Sequence, residues 1–158
     1  MAMITPAEAR DGPAILAISA GVELFNEEEL QTVDELWRDF LNRGAQVSGY
    51  FFLVYRDIDR ILGYTCFGPR ALTEGTYDLY WIAVDKQQHR KGIGKALLRA
   101  VEKEIRLMGG RLIVVETSGQ DIYKPTRGFY KAAGYTHEAT LRDFYRDGDD
   151  LIIYTKHL

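Results

Sequence analysis

The stretch Val84-Asp85-Lys86-Gln87-Gln88-His89-Arg90-Lys91-Gly92-Ile93-Gly94-Lys95-Ala96-Leu97-Leu98 joins a run of β-formers directly to an amphipathic helix. A helix start leaves several backbone N–H groups without intrahelical partners, and the helix dipole makes that end positive. Gly92 and Gly94 let the backbone curl and admit an anion without a Cβ in its path. Arg90, Lys91 and Lys95 add positive charge nearby. Together these residues predict a phosphate cradle. Two common cradles do not fit. A Walker-type loop needs Ser or Thr after Gly-Lys, and Ala96 follows Lys95. A dinucleotide fingerprint needs a third glycine where Leu97 stands.

Outward from this loop, residues 92–108 form the clearest helix. Ile93, Ala96, Leu97, Ala100, Val101, Ile105 and Met108 make one apolar stripe, and Gly109-Gly110 ends it. The strand feeding the loop spans residues 76–84, with Tyr77, Tyr80, Trp81, Ile82 and Val84. Residues 50–55 and 61–67 read as an antiparallel hairpin closed by Asp57-Ile58-Asp59-Arg60. Beyond the central helix come a buried strand over 111–117, a short helix over 126–133 and two strands, 135–141 and 151–156. The last two are joined at Asp147-Gly148-Asp149. Ahead of the first hairpin stand two helices. The first covers 14–20. The second is capped by Asn26, carries Leu30, Val33, Trp37, Phe40 and Leu41 at helical spacing, and stops at Gly44.

The totals bound the function. The 158 residues suffice for a single α/β domain, 1–158, and no repeat or linker divides them. A net charge of −3 gives no general reason to expect nucleic acid. No apolar run approaches the roughly 20 residues of a membrane span, and no export signal opens the chain. One cysteine, Cys66, rules out an internal disulfide and suits a reducing compartment, so a cytoplasmic location is expected. Cys66 itself reads as a small buried hydrophobe. His137 and His157 have no metal-ligand spacing, so no metal is expected. Charge is unevenly spread. Residues 1–48 carry nine acids against three bases, and residues 85–111 carry eight bases against three acids.

The segment from Val84 to Leu98 resembles the coenzyme A pyrophosphate loop of the GNAT superfamily of N-acetyltransferases, Gln/Arg-x-x-Gly-x-Gly/Ala at a helix start. Gly92, Gly94 and Lys95-Ala96-Leu97-Leu98 carry the match. His89 stands where the family has Gln or Arg, and Arg90 stands where it often has glycine. A second segment, Phe129-Tyr130-Lys131-Ala132-Ala133-Gly134-Tyr135, is similar to the family's Phe/Leu-Tyr-x-x-x-Gly-Phe/Tyr. The order of elements is also the family's over residues 50–158. Tyr123 stands where the family usually has Asn, seven residues before the tyrosine.

The resemblance implies a three-layer α/β/α sandwich with a mixed, mostly antiparallel sheet. It also implies acetyl-CoA as acyl-donor cosubstrate and direct acetyl transfer to a primary amine in a ternary complex. Ile82, Ala83 and Val84 would pair through their backbone with the pantetheine arm. His89, Arg90, Lys91, Gly92, Ile93, Gly94 and Lys95 would hold the pyrophosphate, with Tyr123 beside them. Tyr130 would return a proton to the departing thiolate; its plain alternative is a packed tyrosine. Glu116 resembles the base of several peptide-acetylating members, with Asp78 or water as rivals. A coenzyme-binding module without turnover, or an enzyme of another nucleotide phosphate, are the other classes. The acidic first 48 residues, with Asp143, Asp147, Asp149 and Asp150, favour a cationic acceptor. Polyamines, amino sugars and basic peptide N-termini all qualify, and the Tyr-rich ending resembles N-terminal peptide acetyltransferases. A homodimer is compatible with the sequence.

Overall fold

The computed structural model describes residues 1–88 and 91–158. Its centre is one seven-stranded sheet. In chain order the strands are β1 (Ala2–Pro6), β2 (Phe51–Asp57), β3 (Arg60–Pro69), β4 (Thr76–Val84), β5 (Leu112–Ser118), β6 (Thr136–Arg146) and β7 (Asp149–His157). Their spatial order is β1-β2-β3-β4-β5-β7-β6. Every neighbouring pair is antiparallel except β4 and β5, which run parallel.

The helices are α1 (Gly12–Ala20), α2 (Glu27–Ser48), α3 (Ile93–Leu107) and α4 (Lys124–Ala132). Alternation along β2 shows how they are layered. Phe52 and Val54 join Ile15, Ile18, Val33 and Trp37 of α1 and α2. Leu53, between them, joins Leu98, Val101, Ile105 and Tyr130 of α3 and α4. One helix pair therefore covers each face, because successive strand side chains point opposite ways. Among the described residues, no helix is long and apolar enough to cross a membrane.

Two expectations for the N-terminal part are corrected. A strand, β1, precedes the two helices and pairs with β2 from Ala2↔Asp57 to Pro6↔Leu53. Its five residues end in proline, which an edge strand tolerates, and they are too few for a period to show. Gly44 breaks α2 but does not end it. Its φ of 76° and ψ of 167° interrupt the helix, which resumes to Ser48 and is capped by Gly49 in the left-handed region. The expected start holds: the Asn26 side chain accepts from the Glu29 amide at 2.8 Å.

Two buried charge clusters tie elements together. Arg56 of β2 donates to both Asp11 oxygens at 3.1 and 2.9 Å. Glu102 of α3 accepts from the Tyr135 hydroxyl at 2.9 Å and lies 2.9 Å from Lys156 Nζ. Both follow the rule that a buried charge is tolerated when paired and hydrogen-bonded.

Candidate active site

The parallel ladder between β4 and β5 is short. It pairs Thr76–Asp78 with Leu112–Val114 and then ends. Beyond it β5 stays with β7 along its whole length, and β4 stays with β3. An irregularity opposite Cys66 and Phe67 leaves Tyr80 out of the β3–β4 register, and such a bulge adds local twist. The two strands diverge, opening a cleft of about 410 Å³ between Tyr80–Ile82 and Val115–Ser118. The α1–α2 connection and Tyr123, Thr126 and Tyr130 close its sides.

The predicted cradle lies at the β4–α3 junction. A 3₁₀ turn, Lys86–Gln88, is tied by the Asp85 side chain, which accepts from the Gln87 amide at 2.9 Å. Gly92 is the N-cap of α3 with φ of 75°, a conformation other residues reach at a cost, and no side chain caps the helix there. Its first amides therefore point outward without intrahelical partners. Ile93 anchors the turn in the core at 3% exposure. Lys91 and Lys95 are exposed, and Lys91 Nζ donates to Gln88 Oε1 at 3.0 Å. His89 and Arg90 lie outside the described residues.

Along β4 the predicted residues alternate in direction. Ile82 lines the cleft, whereas Ala83 packs among the α1–α2 side of the core. Only the backbone of Ala83 is thus placed to serve a ligand in the cleft. Val84 lies beside Gly94, where an added Cβ would stand 3.8 Å from Val84 Cγ2. Tyr123 lines the cleft and donates from its hydroxyl to the Leu24 carbonyl at 3.4 Å, bridging to the α1–α2 connection.

Tyr130 projects from α4 into the same cleft and is 4% exposed. Its ring packs edge-on against Phe129 and Tyr135 and lies nearly parallel to Tyr154. Its hydroxyl makes no hydrogen bond among the described residues. Burial pushes this phenol well above its ordinary range, so the oxygen keeps its proton at neutral pH. The ring is buried but the hydroxyl opens on the cleft, where a ligand or water can pair with it.

Glu116 of β5 lies on the cleft and also on a second cavity of about 610 Å³. Tyr80 and Tyr145 belong to both cavities as well, so the two spaces meet at these three residues. Glu116 is half exposed, and its Oε1 accepts from Arg70 Nη2 at 3.3 Å. Asp78 is held tightly: Arg70 donates through Nε at 2.7 Å and through Nη2 at 2.6 Å. The sequence reading missed Arg70. It lies 8 residues from Asp78 and 46 from Glu116 along the chain, so no local pattern joins them.

Cys66 is fully buried, and burial drives its thiol well above the ordinary value. The acidic hairpin residues divide. Asp143 Oδ1 accepts from the Gly148 amide and Asp150 Oδ1 from the Asp143 amide, which shapes the turn, while Asp149 lines the cleft. Among the described residues, no group of His, Cys, Asp and Glu is placed to hold a metal.

A seven-stranded mixed sheet that splays between β4 and β5, with an amphipathic helix starting at a glycine loop, defines an acetyltransferase class. The chain belongs to the Acetyltransferase (GNAT) family, whose model matches residues 17–135. The crystal structure of a GNAT-family protein from Desulfovibrio desulfuricans is 42% identical, with a TM-score of 0.96 over 99% of each chain. An uncharacterized N-acetyltransferase of Methanocaldococcus jannaschii is 26% identical over 145 residues, which is 85% of this chain and 90% of that one. A Salmonella typhimurium structure containing acetyl-CoA shares the fold, with a TM-score of 0.79 at 20% identity over 99% of this chain and 94% of that one.

Proposed function

We propose that this chain is an acetyl-CoA-dependent N-acetyltransferase, one domain acting on a primary, cationic amine by direct transfer in a ternary complex. The observation that carries this reading is Tyr130, a buried phenol with no hydrogen-bond partner among the described residues, facing the cleft between β4 and β5. The thioester supplies the acetyl group and a thiolate as leaving group.

The residues divide the work. The outward amides at the start of α3, with Lys91 and Lys95, hold the pyrophosphate. The backbone of Ile82–Val84 lies along the pantetheine arm. Tyr130 gives its proton to the thiolate as the C–S bond breaks. The phenol is an uphill donor, and the leaving thiolate, desolvated in the same cleft, becomes correspondingly more basic. Glu116 receives the amine proton directly or through water. Asp78, with both oxygens engaged by Arg70, is the weaker candidate. The burial of Cys66, the chain's one cysteine, supports direct transfer over a thiol-bound acyl intermediate.

The cationic preference rests on the lining of the cleft. Glu23, Glu29, Glu116 and Asp149 contribute acids there, against Arg146. Opposite charge in a confined site raises the local concentration of a cation. Thiol release from acetyl-CoA, measured against a panel of amines, tests the reading. Intersecting double-reciprocal lines and turnover of cationic acceptors are expected. Parallel lines, or an acetylated enzyme isolated without acceptor, would overturn direct transfer. A thermal shift with ATP or NAD but none with acetyl-CoA would overturn the cofactor.

A further inference from the structure

We infer that Arg70 selects the acceptor, and that the acceptor is an α-amine next to a neutral carbonyl: the N-terminus of a peptide or an amino-acid amide. The inference rests on the N-acetyltransferase reading above and specifies its substrate.

The larger cavity begins where the cleft ends, at Glu116, Tyr80 and Tyr145, so an amine at Glu116 places the rest of the acceptor there. Arg70 stands on its wall with its side chain 45% exposed. Three of the guanidinium's contacts are fixed: Nε and Nη2 to Asp78, and Nη2 to Glu116. Its Nη1 makes no hydrogen bond among the described residues. A planar, rigidly held guanidinium thus presents a free edge of N–H donors beside the carboxylate that would receive the amine. Neighbouring acceptor and donor groups match a molecule whose ammonium and carbonyl groups are separated by a single carbon.

Charge narrows the choice. Arg70, Asp78 and Glu116 together carry a net −1, which one ammonium neutralises. A free carboxylate would then add an unbalanced negative charge beside Asp78, whereas an amide carbonyl adds none. Proton affinity points the same way. An α-amine near pKa 8 is about a tenth neutral at pH 7, far more than a lysine or polyamine amine near 10.4, so it asks less of any base. The cavity volume of about 610 Å³ leaves room for further residues of a peptide.

The test compares alaninamide with isopropylamine, which has the same branched skeleton with a methyl group in place of the carboxamide. Free alanine, a tripeptide amide beginning in alanine, and spermidine complete the set. The measure is kcat/KM per neutral amine, with acetyl-CoA as donor. One hydrogen bond to a charged group should favour alaninamide over isopropylamine by about 10- to 100-fold. The tripeptide amide should equal or exceed alaninamide, and free alanine should fall well below it. In Arg70→Lys, which keeps the charge balance and loses the fixed fork, the preference should shrink to a few-fold. Equal rates for alaninamide and isopropylamine, alanine matching its amide, or an unchanged preference in folded Arg70→Lys would each overturn the assignment. Turnover of spermidine but not of alaninamide would remove this inference and leave the acetyltransferase reading standing. No turnover of any amine by protein that binds acetyl-CoA would remove both. The wild-type preferences decide the matter even if Arg70→Lys does not fold.

Discussion

Gly94 at the start of α3 faces the ring of Phe129 on α4 across an ordinary gap: a Cβ at position 94 would lie 3.6 Å from Phe129 Cε1. The protein itself therefore does not require glycine there. The proposed binding of a pyrophosphate against the helix start would require it. Gly94→Ala should keep the melting temperature or raise it slightly, since alanine favours a helix by up to about 1 kcal/mol. Acetyl-CoA affinity should fall at least several-fold by calorimetry. Unchanged affinity in the folded variant would remove the anion loop from the binding site.

Buried tyrosines set the alkaline limit of stability. Burial raises the phenols of Tyr64, Tyr130 and Tyr135 above their ordinary value of 10.0. A folded-state pKa above the unfolded one gives stability that is fully present below about pH 10 and lost as pH rises through the folded value. The melting temperature should hold up to about pH 10 and then fall steeply, with phenolate absorbance for these residues appearing only on unfolding. Phenolate absorbance that develops fully in the native state below the unfolding pH would contradict that burial.

The parts legible in sequence were the local ones. The Gly92–Gly94 loop, the α3 stripe and the Asn26 cap each arise from neighbouring residues, and the folded chain shows them within a residue or two. The boundaries of β6 were too short in the reading. The strand expected over 135–141 runs on to Arg146, through Asp143 with its φ of 54°. Least legible was the chemistry at the end of the ladder. Arg70, Asp78 and Glu116 meet because β3, β4 and β5 lie side by side, and a register between strands leaves no trace in spacing. Tyr80 was visible as a strand residue, but not as one left out of register at the splay.

Asp11 and Arg56 form a pair whose loss should be costly. Asp11 is 2% exposed, and the fork of Arg56 reaches both its oxygens. Asp11 Oδ2 also accepts from the Glu8 amide at 2.8 Å, fixing the turn that leads into α1. Removing one partner leaves the other charged and buried, which typically costs about 3–5 kcal/mol. Asp11→Ala should lose that much by urea denaturation, and Asp11→Ala with Arg56→Met should recover part of it. A loss below about 1 kcal/mol in the single variant would show that water reaches Arg56.

Tyr130→Phe separates a proton donor from a packing residue. The substitution removes one oxygen and keeps the ring against Phe129, Tyr135 and Tyr154. Because that oxygen opens on the cleft and has no hydrogen-bond partner among the described residues, its removal should cost the fold little. The melting temperature should stay level or rise. General acid catalysis is typically worth about 10²–10⁴ in rate, so kcat should fall within that range while acetyl-CoA affinity is nearly unchanged. A scaffold role predicts the opposite pattern, a lower melting temperature with a nearly normal rate in the molecules that fold. Acceptors of different basicity sharpen the test. Where protonation of the thiolate limits turnover, the deficit of the variant should not depend on the amine's pKa. A deficit that vanished with the more basic amines would move the role of Tyr130 from the leaving group to the acceptor.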